Sequence, residues 1–308
     1  MKLSVFDFHC DTAGEMLRSN QSLTHNSLAV SLVQATQFEH YVQVMAHWID
    51  HRLDDQAGWE HLLSMHQNLL SDAALQNGDA VLCTACPDLS VHTSLLLSLE
   101  DARVLDGHTE RVDLLYEMGF RLITPLWRGL TCIGGSHDTD QGLTAFGKAA
   151  LTRALRLGMI LDVSHASVES AADIFELSGA ERRPVIASHS NAYEICPVSR
   201  NLRKDQIQSI LDSDGIIGLN FCQDFLRLGG NARVADVFPH VDYFLEQGAS
   251  HALCLGGDMD GCELPSDLPT LSALALLAEQ MLSHNYSEAL VKAIFFENAY
   301  AFSRKHLS

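Results

Sequence analysis

Short apolar runs alternate with longer segments of helical periodicity from one end of the chain to the other. Eight runs have strand length: VFDFHC (5–10), YVQVMAHWI (41–49), TSLLLSLE (93–100), FRLITPLW (120–127), ILDVSH (160–165), PVIASHS (184–190), GIIGLNFC (215–222) and HALCLGGD (251–258). Between them, segments such as AFGKAALTRALRLG, SVESAADIFELSG and LRKDQIQSILDSDG carry the helical repeat. Gly158 and Gly179 stand where helix C-caps are expected. This alternation predicts a parallel sheet, because each crossover needs a helix to return the chain. Eight units favour an α/β fold of the (β/α)8 TIM-barrel type over an open doubly wound sheet. No linker-like tract, short repeat or composition break interrupts the pattern, so residues 1–308 are read as a single domain. The segments after 270, LSALALLAEQM and SEALVKAIFFENAYAFSRK, are expected to add C-terminal helices on the outside. Residues 51–80 are more than one crossover requires.

Polar residues gather at one end of these strands, where a barrel carries its active site. His9 and Asp11 close the first strand, Glu100 the third, His165 the fifth, His189 the sixth and Asp258 the eighth. Strand alternation turns His9 and Asp11 to one face and Cys10 to the other. Singly these residues say little. His-x-Asp is a weak motif, Glu100 or Asp101 could be a helix N-terminal charge, and Asp258 and Asp260 in GGDMDG could be turn carboxylates. Together, three imidazoles and two carboxylates at one mouth suit two divalent ions, zinc above all. Such ions would lower the pKa of a shared water, and Asp258 could then shuttle its proton to a leaving group. Metal-assisted hydrolysis is the expected reaction class.

Composition narrows the alternatives. Hydrophobic residues make up 47% of the chain, enough for a sizeable core. A net charge of −19 disfavours nucleic acid, and no run reaches the ~18 apolar residues of a membrane span. The N-terminus lacks a signal-peptide pattern and the C-terminus an anchor tail, so a cytoplasmic location is expected. Of the eight cysteines only Cys83 and Cys86 form a C-x-x-C pair, and all eight are expected to be reduced and structural. No G-x-S-x-G elbow, Walker A, H-E-x-x-H or G-x-G-x-x-G motif offers a competing chemistry.

From FHCDT to GGDMDG, and most strongly over GLTAFGKAALTRALRLGMILDVSHAS and PVIASHSNAYEICPVSRNLR, the chain resembles the membrane (renal-type) dipeptidases, peptidase family M19 of the amidohydrolase superfamily. The resemblance implies a binuclear zinc dipeptidase that attacks the peptide with a metal-bridging hydroxide. By it, His9 and Asp11 hold one zinc, His165 and His189 the other, and Glu100 bridges them. Asp258 matches the acid/base, and Arg200 in PVSRNLR the arginine that grips the substrate carboxylate, a pairing that suits guanidinium. Tolerance of a D-residue at the C-terminal position also follows from the resemblance. Two positions depart from the family. Trp127 stands where eukaryotic members carry a histidine at the end of strand four, so His137 or Arg128 takes over its contact or substrate preference shifts. The sequence LEDAR replaces the family's usual glycines after Glu100. A related amidase or lactonase is the alternative enzyme, and a non-catalytic metal-retaining barrel the alternative from another class. The expected partner is a small dipeptide, with a homodimer left open.

Overall fold

The computed structural model describes residues 2–307, which form eight parallel strands with helices between them. They are β1 (Val5–Cys10), β2 (Tyr41–Trp48), β3 (Thr93–Glu100), β4 (Phe120–Thr124), β5 (Ile160–Asp162), β6 (Val185–Ile186), β7 (Ile217–Leu219) and β8 (Leu253–Leu255). Neighbours pair in the order β6-β5-β4-β3-β2-β1-β8-β7. A parallel bridge between Ala187 and Ile217 brings β6 back against β7 and rounds the sheet into a barrel. The extra sequence at 51–80 makes the helix Asp55–Leu70 and a helical turn at Ala73–Gln76. The two-residue strand Val81–Leu82 then pairs with β3 outside the barrel order.

The interior is filled from seven of the strands and from the approach to the remaining one. Phe6, Phe8, Val42, Val44, Leu96, Leu122, Ile160, Ile186 and Cys254 form one buried cluster with Ile216, just before β7. Phe296, Phe302 and Leu307 belong to the same cluster. The C-terminal segment, which includes the helix Asn298–His306, therefore closes the floor of the barrel rather than lying along its side. Among the described residues no helix is long and apolar enough to cross a membrane.

Local signals account for the helix ends. Thr144 Oγ1 accepts from Gly147 N (2.9 Å) to start Ala145–Leu157, and Gly158 ends it at φ 96°. Ser167 Oγ caps Val168–Ala180 in the same way. Gly179 is not a C-cap: it lies inside that helix, which runs on to Ala180 and is capped at Glu181.

Several strands are shorter than their apolar runs. β4 ends at Thr124, because Pro125 cannot donate to a ladder. His165, His189 and Asp258 follow by three residues the last residues of β5, β6 and β8, and so sit on loops. His165 and Asp258 adopt left-handed backbone, φ 67° and 56°, which aims their side chains away from a strand's path.

β1 also breaks strict alternation. From Asp7 to Cys10 it takes three steps while β2 takes two, Gln43 to Met45, so it carries one extra residue. Phe6 and Phe8 face the barrel interior, and unbroken alternation would have sent His9 to the outer face. The bulge lets His9 follow Phe8 inward while Cys10 points out against Met45, sulfur to sulfur at 3.5 Å.

Candidate active site

The imidazoles and carboxylates picked out along the sequence meet at the C-terminal mouth of the barrel. His9 Nε2 lies 3.3 Å from Asp11 Oδ2, 3.3 Å from Glu100 Oε2 and 3.8 Å from Asp258 Oδ1. The other Glu100 oxygen, Oε1, lies 3.1 Å from His165 Nε2 and 3.6 Å from His189 Nε2. The His9 and His189 rings stack with centroids 3.7 Å apart. Asp101 points elsewhere: its Oδ1 accepts from Arg103 N at 3.2 Å and caps the short helix that follows.

Hydrogen bonds behind the imidazoles decide which nitrogen faces the centre. His165 Nδ1 lies 3.2 Å from the Trp127 carbonyl, an acceptor only, so it carries the proton and Nε2 keeps its lone pair. His189 Nδ1 lies 2.7 Å from Ser188 Oγ, which donates onward to the Asp162 carboxylate. Asp162 also accepts from Thr124 Oγ1 (2.6 Å), Ser164 N (2.8 Å) and Ser188 N (3.0 Å), an anchor shared by three strands or their ends. Asp258 is held from both sides. Its N–H donates to His9 O (3.1 Å), and its Oδ2 accepts from Asn220 Nδ2 (2.9 Å). Gly261 completes the loop, since a Cβ there would overlap Asp11 Oδ2 and come within 2.7 Å of Asp258 Oδ1. Asp162, Ser188 and Asn220 escaped sequence reasoning; the only signal was their place beside the histidines in ILDVSH and PVIASHS and before Cys222 in GLNFC.

Burial strains the charges of this group. It pushes Glu100 up to about 7 and raises Asp11. Burial opposes a charge on His9 too, yet Glu100 and Asp11 outweigh it and hold that imidazole well above its ordinary range. His165 and His189 sit well below theirs, through burial first and then the neighbouring charges of Arg200 and His9. Burial also pushes Asp7, bonded to His9 N (3.0 Å) and Gly257 N (2.9 Å), up to about 6.

The donor set fits divalent ions. The Nε2 atoms of His165 and His189 are 3.0 Å apart, and both keep lone pairs, which repel unless a cation lies between them. Among the described residues, buried atoms of His9 (Nδ1 and Nε2) and Asp11 (Oδ1) have no hydrogen-bond partner. The candidate ligand atoms fall into His9–Asp11–Glu100, Glu100–His165–His189 and His9–His189–Asp258 groups, each within 4.8 Å. Imidazole nitrogen and carboxylate oxygen are the ligands that hydrolytic zinc sites use.

Above the group opens a cavity of about 820 Å³. Trp127 lines it, packed edge-on against Trp48 at 5.1 Å, with Leu53 and Met65 nearby on the wall. His137 and Arg128 also reach it, His137 with Nδ1 3.0 Å from Ser199 Oγ and its ring 5.8 Å from that of His165. Burial, followed by the Arg200 charge, pushes His137 down to about 4, so it is neutral near pH 7. Arg200 is 4% exposed and sits behind the cavity lining. It donates to Ser190 Oγ (2.8 Å) and His189 O (2.9 Å). Asp260 accepts from Thr12 Oγ1 (2.6 Å) and Ala29 N (2.7 Å), tying the loop after β8 to the N-terminal segments.

A parallel eight-stranded barrel with candidate metal ligands gathered past its C-terminal ends has the form of a metal-dependent hydrolase. The sequence model of the membrane dipeptidases (peptidase family M19) matches residues 1–305, and the chain belongs to that family. Among solved structures it is similar to a metallopeptidase described as dipeptidase AC, at 25% identity and TM-score 0.91, covering 99% of each chain. A Rhodobacter sphaeroides metallopeptidase, solved with a phosphinate mimic of the dipeptide L-Ala-D-Ala, shares the fold at 23% identity and TM-score 0.90, covering 99% of this chain and 100% of its own. Dipeptidase 3 of Mus musculus is 28% identical over 247 residues, 73% of this chain and 50% of its own length. The protein is a metal-dependent peptide hydrolase of the dipeptidase class.

Proposed function

We propose that the protein is a binuclear zinc dipeptidase whose substrates include dipeptides with a D-residue at the C-terminal position. The observation that carries this reading is the division of Glu100: Oε2 serves the His9–Asp11 side and Oε1 the His165–His189 side. A carboxylate so divided suits two ions that share it, with His9 and Asp11 holding one and His165 and His189 the other. When bound, the ions supply an activated water and an electrophile for the peptide carbonyl.

The remaining work falls to the chain. Asp258 Oδ1 faces His9 while Asn220 pins Oδ2, so the carboxylate is held to take a proton from the attacking water and pass it to the departing amine. Arg200 is a buried guanidinium beside the imidazoles whose Nε has no partner among the described residues. It keeps donors to offer the terminal carboxylate of a dipeptide. Trp127 forms an apolar wall, and its carbonyl orients His165. His137, neutral and close to His165, replaces the strand-four histidine as the group that contacts the scissile unit. Eight free cysteines support a reducing compartment, the cytoplasm.

The test is a screen of zinc-loaded protein against L-Xaa-D-Xaa, L-Xaa-L-Xaa and N-acyl amino acid libraries. L-Ala-D-Ala is the first substrate, following the mimic held by the fold relative. Dipeptide turnover with about two zinc equivalents per chain is expected. Turnover of N-acyl compounds or lactones and of no dipeptide would replace this reading with an amidase or lactonase.

A further inference from the structure

Most of the carbon lining of the cavity lies on one side of the candidate metal centre. Trp48, Leu53, Met65 and Trp127 line it there, together with Gly14 and Leu17 from the helix Thr12–Ser19. Trp48 ends β2, in register with Glu100 on β3. Leu53 follows that strand, and Met65 belongs to the helix Asp55–Leu70. Gly14 N donates to Asp11 O at 3.0 Å, so this glycine stands beside the His9–Asp11 group. A Cβ on Gly14 would lie 3.7 Å from Met65 Cε, and no side chain of its own fills the space there. These residues form an apolar lobe that opens from the His9–Asp11–Glu100 side.

Two arginines also line the cavity here, but each already holds a carboxylate. Arg18 pairs with Glu15 and Arg52 with Asp50. Their side chains are 73% and 78% exposed, whereas Met65 is 1% exposed. Paired and hydrated, the guanidinium groups offer less to an entering side chain than the buried carbon surface does. The strand order sets where the lobe stands relative to Arg200. With β6 closed against β7, β2 lies four strands from β6 in either direction, directly across the mouth. Arg200 belongs to the loop after β6 and donates to His189 O. A dipeptide whose terminal carboxylate meets Arg200 therefore carries its N-terminal residue across the centre, toward His9, Asp11 and the lobe.

Given the dipeptidase reading, with Arg200 as its carboxylate grip, we infer that this lobe is the subsite for the substrate's N-terminal side chain and selects dipeptides in which that side chain is large and apolar, such as leucine, methionine or phenylalanine. A cavity of about 820 Å³ has room for such a residue. Its burial against Trp48 and Trp127 takes carbon surface of both partners out of water. An apolar pocket separates side chains by about 10–200-fold for each methylene. Gly14 sets the depth, because a larger side chain there would take the space offered to the substrate.

Zinc-loaded enzyme assayed on L-Xaa-D-Ala, with Xaa glycine, alanine, leucine, phenylalanine, glutamate or lysine, tests this. For leucine and phenylalanine kcat/KM should exceed that for alanine by at least about tenfold, with glutamate and lysine lowest. Varying the C-terminal residue instead, in L-Ala-D-Xaa, should not reproduce that order. Gly14→Leu and Leu53→Glu should each cut the leucine-to-alanine ratio by about tenfold, a ratio that a merely less stable enzyme would keep. Calorimetry with phosphinate mimics of L-Leu-D-Ala and L-Ala-D-Ala makes the comparison without turnover, and the first should bind at least about tenfold tighter. Equal kcat/KM across glycine, alanine and leucine overturns the inference, as does a preference for glutamate or lysine, or a ratio unchanged in both variants. If no dipeptide is turned over yet the leucine mimic binds tighter, the dipeptidase reading falls and the subsite stands. Equal binding of the two mimics removes the subsite.

Discussion

Ser188 sits between a buried carboxylate and a ligand imidazole, accepting from His189 Nδ1 and donating to Asp162. Ser188→Ala leaves that nitrogen without a partner while the fold loses only a hydroxyl. Zinc affinity, measured by competition with a chelator, should fall ~10–100-fold, the usual cost of losing a partner that orients a ligand. Arg200→Ala should raise KM for free-carboxylate dipeptides by roughly tenfold or more and leave C-terminally amidated analogues unchanged. Unchanged KM for both would remove its proposed role. Gly261→Ala should cost zinc binding too, because its methyl group competes with Asp11 and Asp258 for space. The acidic and imidazole members of the site were legible because they recur at successive strand ends. Asp162, Ser188 and Asn220 were not, because their roles exist only in hydrogen bonds between loops.

At the scale of elements, apolar runs located all eight strands and overstated most of their lengths. Hydrophobicity continues past the last ladder bond because the loops that carry His165, His189 and Asp258 are themselves buried. The bulge in β1 left no mark that periodicity could detect, yet it sets His9 on the same side as Phe8. Leu274–Ser283 packs on the outer side as expected, but the last helix, Asn298–His306, has a different berth, since an amphipathic repeat does not say which surface it covers. Its position on the barrel floor has a measurable consequence. Phe302 packs edge-on against Phe8 at 6.1 Å, and Phe302→Ala should destabilise the protein by ~3–5 kcal/mol. Thermal or denaturant unfolding should register that loss while the zinc stoichiometry of the folded protein stays at its wild-type value.

For the whole molecule, pH enters through an imidazole buried outside the cavity lining as well as through the candidate site. Burial pushes His47, packed against Phe120 and His66, down to about 3. Between that value and its ordinary 6.5 the unfolded chain binds a proton that the folded one refuses. Stability therefore rises with pH through this window and is lost as pH falls, by ~1.4 kcal/mol per unit for this one group. His47→Gln should remove that share, so acidifying from pH 7 to 5 should lower the thermal midpoint more in the wild type than in the variant. An equal drop in both would contradict the assignment. The barrel itself was readable from eight strand–helix alternations, because parallel strands leave the chain few other ways to return. The floor has one more consequence, for synthesis. Phe8 emerges from the ribosome early, but its neighbour Phe302 follows 294 residues later. At ~5–20 residues per second the first strand waits about 15–60 s for the side chain that covers it. Until then the growing chain carries an uncovered aromatic surface, a natural target for chaperones that bind nascent polypeptides.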